Sequence, residues 1–335
     1  MKVSYAMFPQ GNVVSDPESI ADVVRMPREL ALANLAGGLG FDGFWVTEHH
    51  FGDYNLAPAP LTVLAHVAGR FPAIAVGSMV VVLPWNDPLR VVEQAIVLDY
   101  LCDGRLTLGI GKGEAAREFE AFGMSLDQGR RRFDDDVALV LGALETGVLR
   151  RSGEPTLEIR PAPARTFRDR VLMAAGSPAS LNRAADLGLG LLRIALRSWD
   201  EVAGQVEQHD ARFRATHDRA PPPCVVLTFA YCDRDPGRAR EHGLCYARAY
   251  RESAIAHYGL AGGEADLAAF AEAQLWGTPD EIIEKVAHVV ERTGTDQIVW
   301  AFRYAGVPYD VAEGSLRLFA SAVMPRLKRL AVGVR

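Results

Sequence analysis

The chain has 335 residues, of which 49% are hydrophobic and 23% are charged, and its formal net charge is -6 at pH 7. This acidic balance argues against binding to nucleic acid or to an anionic membrane surface, both of which need concentrated positive charge. The longest apolar stretch, Ala73–Leu83, is too short to cross a bilayer.

Residues Met1–Tyr5 lack the apolar core of a signal peptide, and the four cysteines (Cys102, Cys224, Cys232 and Cys245) show no C-x-x-C spacing. We therefore expect a cytoplasmic protein with reduced, mostly buried thiols. No linker rich in proline, glycine or serine divides the chain, so residues 1–335 are predicted to form a single domain.

Short apolar strands alternate with helical patterns from end to end. In the first half, strands are predicted at 3–8, 44–47, 74–83 and 105–110, and helices at 24–39, at 61–69 and after Asp87-Pro88. In the second half, strands are predicted at 171–175, 224–232 and 297–302. Helices there follow the capping residues Ser177, Ser198 and Thr278, and a last helix is predicted at 312–330.

About eight such strand–helix units fit a closed (β/α)8 TIM barrel of the α/β class better than an open, doubly wound sheet. Insertions are expected at the carboxyl-terminal mouth of this barrel. One segment there, from Gly259 to Gly277, is either a mobile cover over the mouth or a helical insertion on the surface.

The second predicted strand runs directly into Glu48, His49 and His50. In a barrel, the carboxyl ends of the strands carry the active site, and a histidine transfers protons near neutral pH. Adjacent residues of a strand point to opposite sides, so we expect His49 and His50 not to share a ligand and predict no metal site. The alternative is that one histidine is packed and the other is hydrogen-bonded in a loop.

Two turns that follow strands are candidate anion sites. In Gly109–Gly113, glycines allow close approach of a ligand and Lys112 offers a compact positive charge. In Gly176–Ser180, free N–H groups at a helix N-terminus attract anions. The alternatives are a tight turn with an exposed lysine and a serine, Ser177, that only caps its helix.

Several stretches match one known family in the same order along the chain. They are Gly40–Phe51, Val76–Met79, Val82–Arg90, Leu98–Asp99, Asp103–Leu106, Gly109–Gly113, Glu118–Phe119, Phe122–Gly123, Ala175–Ser177 with Ser180, Gly277–Glu281 and Met324–Pro325. On these residues the chain resembles the bacterial luciferase-like flavin monooxygenases over nearly its whole length.

The resemblance implies a barrel that holds reduced FMN at its carboxyl-terminal mouth and reacts it with O2. The C4a-hydroperoxide of the flavin then oxygenates an apolar organic substrate. In this family the first histidine of the Glu-His-His run is an active-site residue, so the resemblance makes His49 the proton-transfer residue, with His50 and Glu48 in support.

The resemblance also assigns residues to the cofactor. The strand at Ser78, Met79 and Val80 matches the place where the family has a cis peptide bond under the flavin ring, which predicts a cis bond between Met79 and Val80. The flavin phosphate is expected between Lys112 and the turn that contains Gly176, Ser177 and Ser180.

Partners follow from the same resemblance. A separate NAD(P)H:flavin reductase is expected, because the chain has no nicotinamide-binding fingerprint, and a homodimer is expected through the helices at 61–69 and 91–101. Two alternatives stay open: an oxidoreductase that uses the deazaflavin F420, and a non-catalytic partner subunit. Gly111 stands where light-emitting members carry a reactive cysteine, which argues against light emission.

Overall fold

The computed structural model describes residues 1–11, 20–151 and 153–330. Its strands, in chain order, are β1 (Lys2–Met7), β2 (Gly43–Val46), β3 (Ala75–Ser78), β4 (Val81–Val82), β5 (Leu106–Gly111), β6 (Val148–Leu149), β7 (Leu157–Glu158), β8 (Val171–Ala174), β9 (Gly190–Ile194), β10 (Val225–Cys232), β11 (Leu275–Gly277) and β12 (Gln297–Ala301). Strands β1, β2, β3, β5, β8, β9, β10 and β12 pair in parallel in that order, and β12 pairs back to β1. The predicted (β/α)8 barrel is therefore confirmed.

Helices lie between the strands and cover the outside of the barrel. They are α1 (Asp22–Gly38), α2 (Pro60–Arg70), α3 (Pro88–Leu101), α4 (Ala116–Ala121), α5 (Leu126–Thr146), α6 (Pro178–Asp186), α7 (Trp199–His217), α8 (Pro236–Tyr258), α9 (Glu264–Ala273), α10 (Pro279–Thr293), α11 (Tyr309–Ala322) and α12 (Met324–Lys328). Of the helices in the described ranges, none combines the length and the apolar character that a bilayer span requires.

The predicted helix starts are confirmed in detail. The Asp87 carboxylate accepts hydrogen bonds from the backbone N–H groups of Leu89 and Arg90, and Pro88 occupies the first turn of α3. Ser177 and Thr278 each form a capping box, at α6 and at α10. These local signals fix where the chain leaves each strand and enters the next helix.

The strand predicted at 74–83 is not continuous, so that prediction was wrong. The chain forms β3, breaks at Met79, forms the two-residue β4 and enters a 3-10 helix at Leu83–Trp85. Glycines on the neighbouring β5 allow this path. A Cβ atom on Gly109 would lie 2.0 Å from the carbonyl oxygen of Ser78, and one on Gly111 would lie 2.6 Å from the Val80 side chain.

Other elements of the structure also differ from the predicted ones. Strand β9 was missed, because its short apolar run contains an arginine. The predicted last helix is two helices, α11 and α12, separated at Val323. Pro325 lies in the first turn of α12, and a proline there cannot donate a backbone hydrogen bond to the preceding helix. Segment 259–277 contains α9 and β11, and β11 pairs with β10.

The barrel strands are buried on both faces, as parallel strands covered by helices should be. Strands β2 and β10 are buried at every position. All four cysteines are free, and all but Cys245 are buried, as the sequence predicted.

Candidate active site

Polar groups from three barrel strands meet at one rim. Glu48, His49 and His50 follow β2, Lys112 follows β5 and Gly176 follows β8. Strands β5 and β8 are direct neighbours, with Ile110 of β5 opposite Met173 of β8. Because the strands are parallel, their carboxyl ends all lie at the same end of the barrel, which is where barrel enzymes place their active sites.

His49 is held by a carboxylate that the sequence analysis did not assign. Its Nδ1 lies 3.1 Å from Oε1 of Glu118, a buried residue of α4. Its Nε2 lies 3.4 Å from the hydroxyl of Tyr258, at the end of α8. His49 therefore links a loop after β2 to two helices that cover the mouth.

The charge on Glu118 is set by its neighbours. Burial raises the pKa of this carboxyl, but the hydrogen bond and charge of His49 and the backbone N–H of His50, 2.7 Å away, outweigh burial and bring the pKa below its usual value. The carboxylate is thus ionised near neutral pH and can only accept hydrogen bonds. Neutral His49 then carries its hydrogen on Nδ1, which leaves the lone pair on Nε2.

A third group, His257 of α8, completes what we call the histidine cluster (His49, Glu118 and His257). Its Nε2 lies 3.7 Å from Glu118 Oε1, and its ring stacks on Tyr54 with centroids 4.2 Å apart and 9° between the planes. Burial, followed by the charge of His49, lowers the pKa of His257 to about 4. His257 is therefore neutral at physiological pH.

Tyrosines form a wall beside this cluster. The hydroxyls of Tyr54 and Tyr250 lie 2.6 Å apart, and the Tyr54 ring also packs edge-on against Tyr258 at 5.5 Å. Burial raises the pKa of all three phenols far above the usual value, so they stay protonated. Tyr54 and Tyr250 are buried and Tyr258 is half-buried, so the wall is an apolar backing to the histidine cluster with a small number of hydrogen-bonding groups.

Glu48 and His50, the predicted supporting residues, have structural partners. The Glu48 carboxylate accepts hydrogen bonds from the backbone N–H of Val82 (2.8 Å), from Trp85 Nε1 (2.7 Å) and from Asn86 Nδ2 (3.0 Å), and it lies 3.1 Å from His50 Nε2. These contacts fasten the segment after β4 to the segment after β2. Because its oxygens are so occupied, Glu48 is better suited to positioning the rim than to moving a proton.

The peptide bond between Met79 and Val80 is cis, as the resemblance predicted. Met79 and Val80 are partly exposed at the rim, whereas Ser78 is fully buried. The Ser78 hydroxyl donates to the carbonyl of Gly109 and accepts from its N–H, both at 2.9 Å. Ser78 therefore joins β3 to β5, and the side chains of Met79 and Val80 are the ones available to a ligand.

The predicted anion side of the rim contains Lys112 and the turn Gly176–Ser180. Lys112 is partly buried and forms neither a hydrogen bond nor an ion pair with any residue in the described ranges. The Ser180 hydroxyl accepts from the N–H groups of Gly176 (3.1 Å) and Ser177 (3.0 Å). The turn is therefore ordered at the N-terminus of α6, with its dipole directed toward the rim.

Arg193 of β9 is a second cation at this turn, and the sequence analysis did not assign it. Its guanidinium donates to the carbonyl of Ala175 and to Gln205, and a Cβ atom on Gly176 would lie 2.8 Å from its Nη1. Its Nε is buried without a hydrogen-bond partner, and no carboxylate among the described residues forms an ion pair with it. The sequence signal that could have identified this residue is a single arginine within the apolar run 190–194.

These groups fit the phosphate of a flavin nucleotide. Arg193 contacts the turn that begins α6, and Lys112 follows β5, the direct neighbour of β8. Neither cation has a carboxylate partner among the described residues. Burial lowers the pKa of Arg193, and the more distant charges of Cys224, Glu201 and Glu114 oppose this shift without reversing it. A dianion bound at the phosphate turn, which we define as Gly176–Ser180 with Lys112 and Arg193, would supply the missing charge.

Comparison with known proteins identifies the family. The model of the luciferase-like monooxygenase family matches residues 1–297. The alkanal monooxygenase alpha chain of Photobacterium leiognathi is 28% identical over 336 residues, which cover 90% of this chain and 94% of that protein. The chain is thus similar to this relative over almost the full length of both.

Solved structures share the same fold. The monooxygenase RslO1 from Streptomyces bottropensis is 25% identical, with a TM-score of 0.83 over 97% of this chain and 99% of that chain. The oxygenating constituent of 3,6-diketocamphane monooxygenase from Pseudomonas putida, in complex with FMN, has a TM-score of 0.73 at 16% identity, covering 98% and 100% of the two chains. A coenzyme F420-dependent tetrahydromethanopterin reductase from Methanopyrus kandleri has a TM-score of 0.68 at 17% identity, covering 97% and 99%.

The last two structures show only that the barrel is shared, and they show it with two different cofactors. The family match, by contrast, spans most of the chain and includes both sides of the rim. The chain belongs to the luciferase-like monooxygenase family.

Proposed function

We propose that the chain is an FMNH2-dependent monooxygenase that transfers one oxygen atom of O2 to an apolar organic substrate. The observation that carries this proposal is the placement of His49, held by ionised Glu118, at the same barrel rim as the phosphate turn. When bound, reduced FMN would supply the electrons and activate O2 as its C4a-hydroperoxide, as the family resemblance implies.

The phosphate turn would hold the anionic end of the flavin. Lys112 and Arg193 supply positive charge, and Ser177 and Ser180 supply the N-terminus of α6. Met79 and Val80, which are partly exposed between this turn and β2, are the candidates to contact the ring. Charge-assisted hydrogen bonds to phosphate are strong enough to make the turn the main source of affinity for the nucleotide tail.

His49 would move the proton that oxygenation requires. Glu118 fixes the hydrogen on Nδ1, so Nε2 is the atom that accepts and later returns a proton. The negative charge of Glu118 stabilises the imidazolium that forms. Glu48 and His50 would act through the backbone, by keeping the segments after β2 and β4 in place.

The tyrosine wall would bind the apolar substrate and exclude water. The rings of Tyr54 and Tyr258 pack edge-on against His49, with centroids 4.8 and 6.0 Å away, and both phenols stay protonated. Excluding water protects a reactive oxygen species from unproductive breakdown. This arrangement favours a substrate with substantial apolar surface over a charged one.

Two partners complete the proposal. A separate NAD(P)H:flavin reductase would supply reduced FMN. A second copy of the chain would pair through α2 and α3, because Val97, Tyr100 and Leu101 place exposed apolar surface on α3.

Rapid mixing tests the activity directly. Protein loaded anaerobically with reduced FMN is mixed with O2, and the flavin absorbance is followed in time. We expect an oxygenated flavin species whose lifetime on the protein is much longer than that of the same species formed by free flavin in solution. This species should decay faster when an apolar substrate is added. Reoxidation at the rate of free reduced FMN would reject the proposal.

The F420 alternative is favoured by one observation, the shared barrel of an F420-dependent reductase. Equilibrium titration with both reduced cofactors decides between them, and we expect tighter binding of FMN. A non-catalytic partner subunit would bind neither, whereas this chain retains His49, Lys112 and the turn at α6.

A further inference from the structure

We propose that the histidine cluster is also a binding site for a divalent transition-metal ion such as Zn2+, and that an ion bound there blocks proton transfer by His49. The blocking effect rests on the proposed monooxygenase function. The binding itself does not, because it depends only on groups that are already in place.

The donor atoms have the spacing of a compact metal site. Nδ1 of His49, a carboxylate oxygen of Glu118 and Nε2 of His257 all lie within 4.8 Å of one another. The two nitrogen-to-oxygen distances are 3.1 and 3.7 Å. In tetrahedral zinc sites, with bonds of about 2.0–2.1 Å, ligand atoms lie about 3.3 Å apart. The two imidazoles would therefore move closer together, and His257 would approach Glu118 by about 0.4 Å.

Two imidazoles and one carboxylate are a ligand set that zinc accepts, with a fourth position left for water or another ligand. The ligands come from three separate places: the end of β2, α4 and α8. This differs from the expectation that adjacent His49 and His50 would give no metal site. That expectation considered only histidines that are neighbours in sequence, whereas the second histidine ligand proposed here is His257.

His257 provides an independent reason to expect a ligand. Its side chain is only 7% exposed, and its Nε2 is buried without a hydrogen-bond partner while it faces Glu118. A buried polar atom without a partner costs about 1–3 kcal/mol, and a bound ion would remove that cost.

The surrounding contacts already orient the ligands. The Tyr54 ring stacks on His257, and the backbone N–H of His50 donates to Glu118 Oε1 at 2.7 Å. Such outer contacts fix ring orientation and raise metal affinity in known sites. The cluster is therefore preorganised, and ion binding requires little rearrangement.

Metal binding would have a defined chemical consequence for His49. In the metal-free cluster, the hydrogen is on Nδ1 and the lone pair is on Nε2. An ion can bind Nδ1 only through a lone pair on that nitrogen, so the hydrogen of the neutral ring must move from Nδ1 to Nε2. The atom proposed to accept a proton then carries one, and the base is blocked without any net release of protons.

Titration of flavin-free protein tests the binding. We expect calorimetry with ZnCl2 to show one saturable site, CoCl2 to give visible absorption bands of low-coordinate cobalt, and ZnCl2 to raise the thermal unfolding temperature. The variant His257→Gln should weaken zinc binding at least tenfold. The matched control His288→Ala removes an exposed histidine of α10 and should leave the affinity unchanged.

Two results would overturn the site: no saturable binding to the wild-type protein, or zinc affinity that is the same in His257→Gln and wild type. If His257→Gln does not fold, Glu118→Gln serves as the second variant with the same expectation. Adding a chelator should restore oxygenation after zinc inhibition. If the protein binds zinc at this site but never stabilises oxygenated flavin, the site is supported and the proposed function is rejected. If the protein oxygenates a substrate but does not bind zinc at this site, the site is rejected and the proposed function is supported.

Discussion

The two sides of the barrel rim are organised differently. The histidine cluster has its hydrogen bonds and charges satisfied within the protein, except for Nε2 of His257. The phosphate turn keeps two cations, Lys112 and Arg193, without a carboxylate partner among the described residues. The difference indicates that the protein itself fixes the proton-transfer group, whereas the charge balance of the anion side is completed by the ligand.

The largest effect is expected from His49→Ala. Removing a general acid–base reduces turnover about 100- to 10,000-fold. Affinity for reduced FMN should change little, because the phosphate turn is untouched. Product formation under saturating FMN measures this, with His66→Ala, an exposed histidine of α2, as the matched control. Turnover of His49→Ala equal to the control would remove His49 from the mechanism.

Glu118→Gln tests whether the histidine side depends on a carboxylate. We expect turnover to fall about 10- to 100-fold, which is typical for loss of a residue that orients a histidine. The control Glu120→Gln changes an exposed residue of the same helix. Turnover of Glu118→Gln equal to that of the control would show that Glu118 has only a packing role.

Lys112→Met tests the phosphate turn. Loss of one charge-assisted contact to phosphate should weaken FMN binding about tenfold. Riboflavin, which has no phosphate, should bind the variant and the wild type equally. Lys2→Met, at an exposed lysine of β1, is the control for general charge effects. If the variant loses affinity for riboflavin and for FMN to the same extent, Lys112 does not contact the phosphate.

Ser177→Ala should have the smallest effect. It removes the cap of α6, which destabilises the fold by about 1 kcal/mol, measured by urea unfolding. Ser125→Ala removes the equivalent capping box of α5 and should cost about the same stability. Only Ser177→Ala should also weaken FMN binding, and equal FMN affinity in the two variants would assign Ser177 a purely structural role.

The sequence predicted much of this molecule because its signals are local. Alternating strands and helices, with caps such as Asp87 and Thr278, were enough to identify the barrel. Strand β9 was missed because Arg193 interrupts an otherwise short apolar run. The break after Ser78 was missed because it depends on glycines of the neighbouring strand, which are distant in sequence.

The candidate site was predicted only in part, for the same reason. His49, Lys112 and Ser177 follow strands, so their position was visible in the pattern. Glu118 lies in a stretch that matches the family, but the pattern assigned it no role. His257 lies on a helix, and nothing in its local sequence separates it from surface residues. Only the folded chain brings α4 and α8 to the end of β2.

A crystal structure of the protein with FMN tests the central claim most directly. The account predicts the phosphate within hydrogen-bond distance of Lys112 and the N-terminus of α6, and the isoalloxazine ring on the His49 side of the same mouth. A flavin bound elsewhere on the molecule, or one whose phosphate contacts neither Lys112 nor Ser177, would contradict it.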